Sequence, residues 1–204
     1  MRSPYCRIAP VVCVLACAMF APAARAHGVK AATEEPVIKV KATEGTALSK
    51  SDEAAVRKLL VDYLEALKNK EYAKAGAMLD RPSLLAAVDP MVATIAADST
   101  QLKEGRRRIF GVSTRDSIEA RGNGPLFKSL MSYLISINPN AGDLLARASI
   151  QVLAARKMGE RVHVAYQVSL PPSQPGGLPF EQVSAQQLRK VKGKWRIFFQ
   201  LDQQ

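Results

Sequence analysis

The chain has 204 residues, with 29 Lys or Arg against 18 Asp or Glu and a formal net charge of +11. That length supports one domain with a full hydrophobic core, and the charge favours anionic partners. Its three cysteines, Cys6, Cys13 and Cys17, all lie near the start, which excludes a disulfide framework or thiol chemistry in everything after Cys17.

The first segment is written as an export signal. Arg2 and Arg7 supply a basic start, Ile8 to Phe20 is an apolar run, and Ala24-Arg25-Ala26 forms an A-x-A cleavage site before His27. Cleavage after Ala26 predicts a periplasmic or secreted chain of 178 residues, and losing three arginines and no acid leaves it a charge of +8. Val14-Leu15-Ala16-Cys17 loosely fits a lipobox, so the alternative is a lipoprotein anchored at Cys17. The apolar run is too short to span a bilayer and no second one follows, so an integral membrane protein is not expected. In that compartment nucleic acid is disfavoured as a partner. Lipid head groups, lipopolysaccharide phosphates or an acidic protein take its place.

Residues 27–50 are rich in Ala, Lys, Thr and Glu, contain Pro36 and Gly45, and carry no helical stripe. They read as a disordered leader or linker, with Val37, Ile38 and Val40 as the alternative of a short strand. A single folded domain, residues 51–204, is expected to start at Ser51, a cap residue followed by Asp52 and Glu53. Val56, Leu59, Leu60, Tyr63, Leu64 and Leu67 then repeat at helical spacing. After Asn69-Lys70, a short second helix is predicted over Glu71 to Leu79. Pro82 to Ala97 is apolar and alanine-rich, with a break expected at Asp89-Pro90. Lys103 to Gly111 follows, then a loop at Arg121-Gly122-Asn123-Gly124-Pro125 and a helix from Leu126 to Ile137, stopped by Asn138-Pro139-Asn140.

From Ala148 on, the apolar period changes to two. Strands are predicted at Ser149 to Met158, Arg161 to Ser169, Phe180 to Val191 and Trp195 to Leu201. Gly159 and Gly193 mark two tight hairpin turns, and Pro171 to Pro179 is a Pro- and Gly-rich connection. The fold class is therefore α+β, with the N-terminal helices folded back over an antiparallel meander. Trp195 is expected as a core anchor packed on the first helix through Tyr63 or Leu60.

The order of these elements, with Lys70-Glu71-Tyr72-Ala73-Lys74-Ala75 in the second helix and Gly193-Lys194-Trp195-Arg196-Ile197 in the last hairpin, resembles the NTF2-like (SnoaL-like) superfamily. The resemblance spans Ser51 to Leu201 and implies a cone, with helices packed on the concave face of a bent sheet and a pocket at the wide end. It implies three kinds of function: ligand or partner binding, isomerase- or dehydratase-type catalysis in the pocket, and structural interaction.

The residues themselves supply little chemistry. His163 falls on the polar face of its strand, and no His, Cys, Asp or Glu group has metal-ligand spacing. No catalytic residue, metal or cofactor is therefore assigned. Tyr63, Tyr133, Tyr166 and Trp195 fall on apolar faces, where they either pack the core or line a pocket for a small apolar ligand or lipid. Arg106, Arg107 and Arg108 sit in a stretch, Lys103 to Lys128, with seven cations and three acids. It reads either as a solvated helix face or as a docking site for an anionic envelope surface or a protein partner. The expected function is an exported, non-enzymatic binding domain, with the pocket enzyme and the structural envelope module as alternatives. The pattern leaves the oligomeric state open, a dimer included.

Overall fold

A computed structural model describes residues 45–93, 99–172 and 179–199. The expected export signal at 1–26, most of the expected leader, the strand alternative at Val37 to Val40 and the chain after Phe199 lie outside these residues.

Ser49 opens the first helix, α1 (Lys50–Lys68), with its hydroxyl accepting the Asp52 N–H at 3.1 Å. The cap is thus two residues before the expected Ser51, because Ser49 is the last residue with extended backbone. Before it, Thr46 exchanges two backbone hydrogen bonds of 3.0 Å with Lys157, so the end of the leader lies along the sheet. Five more helices follow: α2 (Tyr72–Ala77), α3 (Arg81–Ala93), α4 (Ser99–Phe110), α5 (Arg115–Glu119) and α6 (Asn123–Ile137). A seventh, α7 (Asn140–Arg147), leads into the strands β1 (Ser149–Met158), β2 (Arg161–Leu170), β3 (Phe180–Val191) and β4 (Lys194–Ile197). The strands form one antiparallel sheet in the order β1-β2-β3-β4, as the period-two pattern requires.

Four local expectations are corrected. No break occurs at Asp89-Pro90; α3 runs through both residues to Ala93. An interior proline costs about 3 kcal/mol, but Val88, Met91 and Val92 are all buried, and each such side chain returns about 1.5–3 kcal/mol. Of the predicted loop at Arg121 to Pro125 only Arg121 and Gly122 lie outside a helix; α6 starts at Asn123, and Pro125 sits in its first turn, whose N–H groups have no helical partner anyway. Gly124 in this turn and Gly76 of α2 serve close packing. A Cβ on Gly124 would lie 2.7 Å from the Ala73 carbonyl, and one on Gly76 would lie 2.6 Å from Phe127 Cβ. The last strand is short and ends at Ile197, and Phe199 is buried beyond it. Finally, Trp195 is only half-buried. Its indole N–H donates to Asp52 at 3.0 Å, in the first turn of α1, and Lys190 stands 5.3 Å from its ring.

Helix α1 touches both outer strands, β1 and β4, so it lies across the sheet, and α2 and α7 pack against it from the other side. This sandwiching explains why Ala66 is buried along with the stripe Val56, Leu60, Tyr63, Leu64 and Leu67. On β2 every second residue is buried, from Val162 to Leu170. Gly159 and Gly193 adopt positive φ, 62° and 77°, which the two tight hairpins require. A register shift at Val152/Ala154 makes a bulge in β1, and Arg57 of α1 donates to the Val152 carbonyl there at 3.3 Å. Among the described residues no helix is long and apolar enough to cross a membrane.

Candidate functional site

The pairing register decides which side chains share the face of the sheet that α1 covers. Val162, Val164, Tyr166, Val168 and Leu170 of β2 stand opposite Leu188, Gln186, Ser184, Gln182 and Phe180 of β3. Ile150 and Val152 of β1 stand opposite Val168 and Tyr166. The covered face is thus apolar on β1 and β2 but polar at three successive inner positions of β3. A strand buried on one face is expected to place apolar residues there, so Gln182, Ser184 and Gln186 depart from the rule.

Gln186 is accounted for. Its amide donates to the Phe198 carbonyl at 2.8 Å and so ties down the chain after β4. Gln182 and Tyr166 are not. Gln182 Oε1 and Tyr166 Oη are buried without a hydrogen-bond partner, and Tyr166 as a whole has 0% exposure. Burial pushes the Tyr166 phenol pKa up, opposed by a smaller downward pull from Ser184, its cross-strand neighbour, yet no hydrogen bond of proper geometry reaches the hydroxyl. Each buried polar atom left in this state costs about 1–3 kcal/mol.

Helix α1 brings Tyr63 to the same place. Its phenol pKa is raised by burial and, second, by the nearby Tyr166, so both hydroxyls stay protonated. The Tyr63 ring lies 6.3 Å from Phe127 of α6, and Phe127 makes an edge-to-face contact of 6.2 Å with Phe199. Two tyrosines more than a hundred residues apart in the chain therefore meet beside the polar row of β3. No Asp, Glu or His occupies a covered-face position of β1, β2 or β3; His163 lies on the opposite face. Among the described residues no group of three or more His, Cys, Asp or Glu gathers as a metal site would require.

Of the four aromatic residues singled out in the sequence, the structure unites Tyr63 and Tyr166 only. Tyr133 of α6 is half-buried against the core, with the Arg108 guanidinium 5.7 Å from its ring centre. Trp195 sits at the α1 N-terminus, as described above. Gln182 and Ser184 escaped notice because a polar residue in an alternating strand reads as solvent-facing unless the register is known.

The three consecutive arginines also part company, since successive residues step about 100° around a helix. Arg106 points inward and binds Asp89 of α3 at 2.8 Å; Arg115 of α5 holds the other carboxylate oxygen at 3.1 Å. Arg107 lines an open depression of about 420 Å³ with Lys103, Glu104 and Ser113. Arg108 covers Tyr133.

A second polar junction lies where α3 begins. Asp80 has 1% exposure and accepts two bonds of 2.8 Å from Arg189 of β3 and one of 2.9 Å from the Ser83 N–H. It is a buried cap tied to the sheet, and its partners are saturated.

No model of a known protein family matches this chain, and no curated protein matches it.

Proposed function

We propose that the chain is an exported, NTF2-like binding domain that holds a small, largely apolar ligand between α1 and the sheet. The observation that carries this reading is the pair of unpartnered, buried oxygens, Tyr166 Oη and Gln182 Oε1, two register positions apart on one covered face. A protonated phenol donates and an amide oxygen accepts. A ligand with one hydroxyl, or a neighbouring donor and acceptor, would satisfy both and recover their desolvation cost. Val168, Leu170, Ile150 and Val152 beside them suit an apolar body. Arg57, on the Val152 carbonyl, is already paired with Glu53 of its own helix, which favours a neutral ligand over an acid.

Catalysis of the isomerase or dehydratase kind needs a group that takes a proton at the reacting carbon. Two phenols held protonated by burial do not supply one, so binding is the better reading of this face. Export rests on the residue pattern of 1–26.

Native mass spectrometry of protein purified from its own cells tests the proposal. Wild type is expected to carry the added mass of a small neutral molecule. Tyr166→Phe combined with Gln182→Met should lose that mass and keep its fold. A wild-type protein without added mass that also gains no thermal stability from neutral lipids, sterols or long-chain alcohols would refute it.

A further inference from the structure

In a four-stranded meander the β1–β2 and β3–β4 turns lie at the same end of the sheet, and here both are basic. The first turn contributes Arg156, Lys157 and Arg161, and the second Arg189, Lys190, Lys192, Lys194 and Arg196. Three acids approach them: Asp80 on Arg189, Asp52 on Lys190, and Glu160 in the first turn. Eight cations against three acids leave +5 at one end of the sheet. Arg156, Lys157, Lys192 and Lys194 are all exposed, and none forms an ion pair among the described residues.

We infer that this hairpin end docks the protein on an anionic lipid bilayer. Charge alone would admit any polyanion; the arrangement narrows the choice. By register, Lys157 and Lys190 belong to the face covered by α1, whereas Arg156, Arg161, Lys194 and Arg196 belong to the other. The cations therefore ring the end of the sheet and line no groove along it. A single-stranded nucleic acid is gripped along a groove with stacked aromatic rings. A ring of cations around a blunt end instead meets a flat charged plane end-on, with the attraction strongest for those nearest the turn tips. Exposed Met158 at the first turn adds an apolar contact that suits the head-group boundary.

The test is co-sedimentation of the protein with vesicles of phosphatidylglycerol and phosphatidylcholine, against phosphatidylcholine alone. Wild type should bind only the anionic vesicles and release as salt rises. Each basic residue removed near the surface lowers partitioning about fivefold, so Arg156→Gln/Lys157→Gln/Lys192→Gln/Lys194→Gln should bind at least about a hundredfold more weakly, with unchanged melting. Replacing the same four by the opposite basic residue, Arg for Lys and Lys for Arg, should keep binding. Lys103→Gln/Arg107→Gln, at the α4 depression, should bind as wild type does. The inference fails if the fourfold glutamine variant binds like wild type, or if binding is lost in the α4 variant instead. It also fails if wild type binds neutral vesicles equally, or a single-stranded oligonucleotide more tightly than vesicles at the same salt.

Discussion

Replacing Arg189 by alanine probes whether Asp80 is a desolvated carboxylate held by one charged partner. Asp80 lies at 1% exposure, and Arg189 grips both its oxygens at 2.8 Å in a fork that lysine does not reproduce. Breaking a buried pair from one side costs about 3–5 kcal/mol, because the remaining charge stays buried without its counter-ion, here with the Ser83 N–H still bonded to it. The Arg189 side chain is 33% exposed, which screens part of the attraction and places the loss near the low end, about 3 kcal/mol. Against a total stability of about 5–15 kcal/mol this is a large fraction. It corresponds to a melting temperature lower by about 6–12 °C for a domain of this size. Asp80→Asn keeps a good cap for the Ser83 N–H and an acceptor for Arg189, so it should cost less than Arg189→Ala. Urea unfolding with an unchanged m-value is the assay, and the cycle with Asp80→Ala/Arg189→Ala separates the pair from the contact of Arg189 with Phe198, 5.6 Å away. A loss below about 1 kcal/mol for Arg189→Ala, the value of an exposed pair, would show that water reaches the carboxylate and that the reasoning is wrong.

Three further outcomes follow from the geometry. Gly76→Ala should destabilise by about 1–3 kcal/mol, because the new methyl meets Phe127 Cβ at 2.6 Å and the Asn123 carbonyl at 2.7 Å; a rise in stability, as helix propensity alone predicts, would show that α2 and α6 have room to part. Tyr166→Phe should leave ligand-free stability equal or higher, since an unpartnered hydroxyl is removed; a drop of more than about 1 kcal/mol in chemical unfolding would mean that the hydroxyl is bonded within the fold. For His163, burial and then the Arg161 charge hold the pKa below its ordinary 6.5, so the unfolded chain takes up a proton that the folded one resists. Stability should therefore fall as pH drops through 6.5 toward the lower folded value, and His163→Gln should flatten that fall; equal pH slopes for the two proteins would refute the assignment.

The residue pattern by itself determined whatever depends on neighbours close along the chain. The stripe of α1, the alternation of β2 and the glycines that turn both hairpins are local signals, and each follows from side-chain period or positive φ. From them came the α+β class and the antiparallel meander. Pattern also located Tyr63 and Tyr166 as apolar-face residues, but the same reasoning offered Tyr133 and Trp195 equally. Only the tertiary structure separated them, since which aromatic faces meet depends on how α1 crosses the sheet.

The remaining features are long-range. Gly122-Asn123-Gly124-Pro125 carries loop chemistry, yet it starts a helix because Gly124 lets that helix touch Ala73, a contact no local rule contains. Asp80 and Arg189 are 109 residues apart, and burial of one by the other leaves no trace in either segment. The polar row of β3 became visible only when the register turned Gln182 and Ser184 to the covered side. In the same way, eight cations scattered over two hairpins became one basic end because antiparallel pairing brings alternate turns together, whereas the compact run Arg106 to Arg108 was spread by helical geometry over three separate environments.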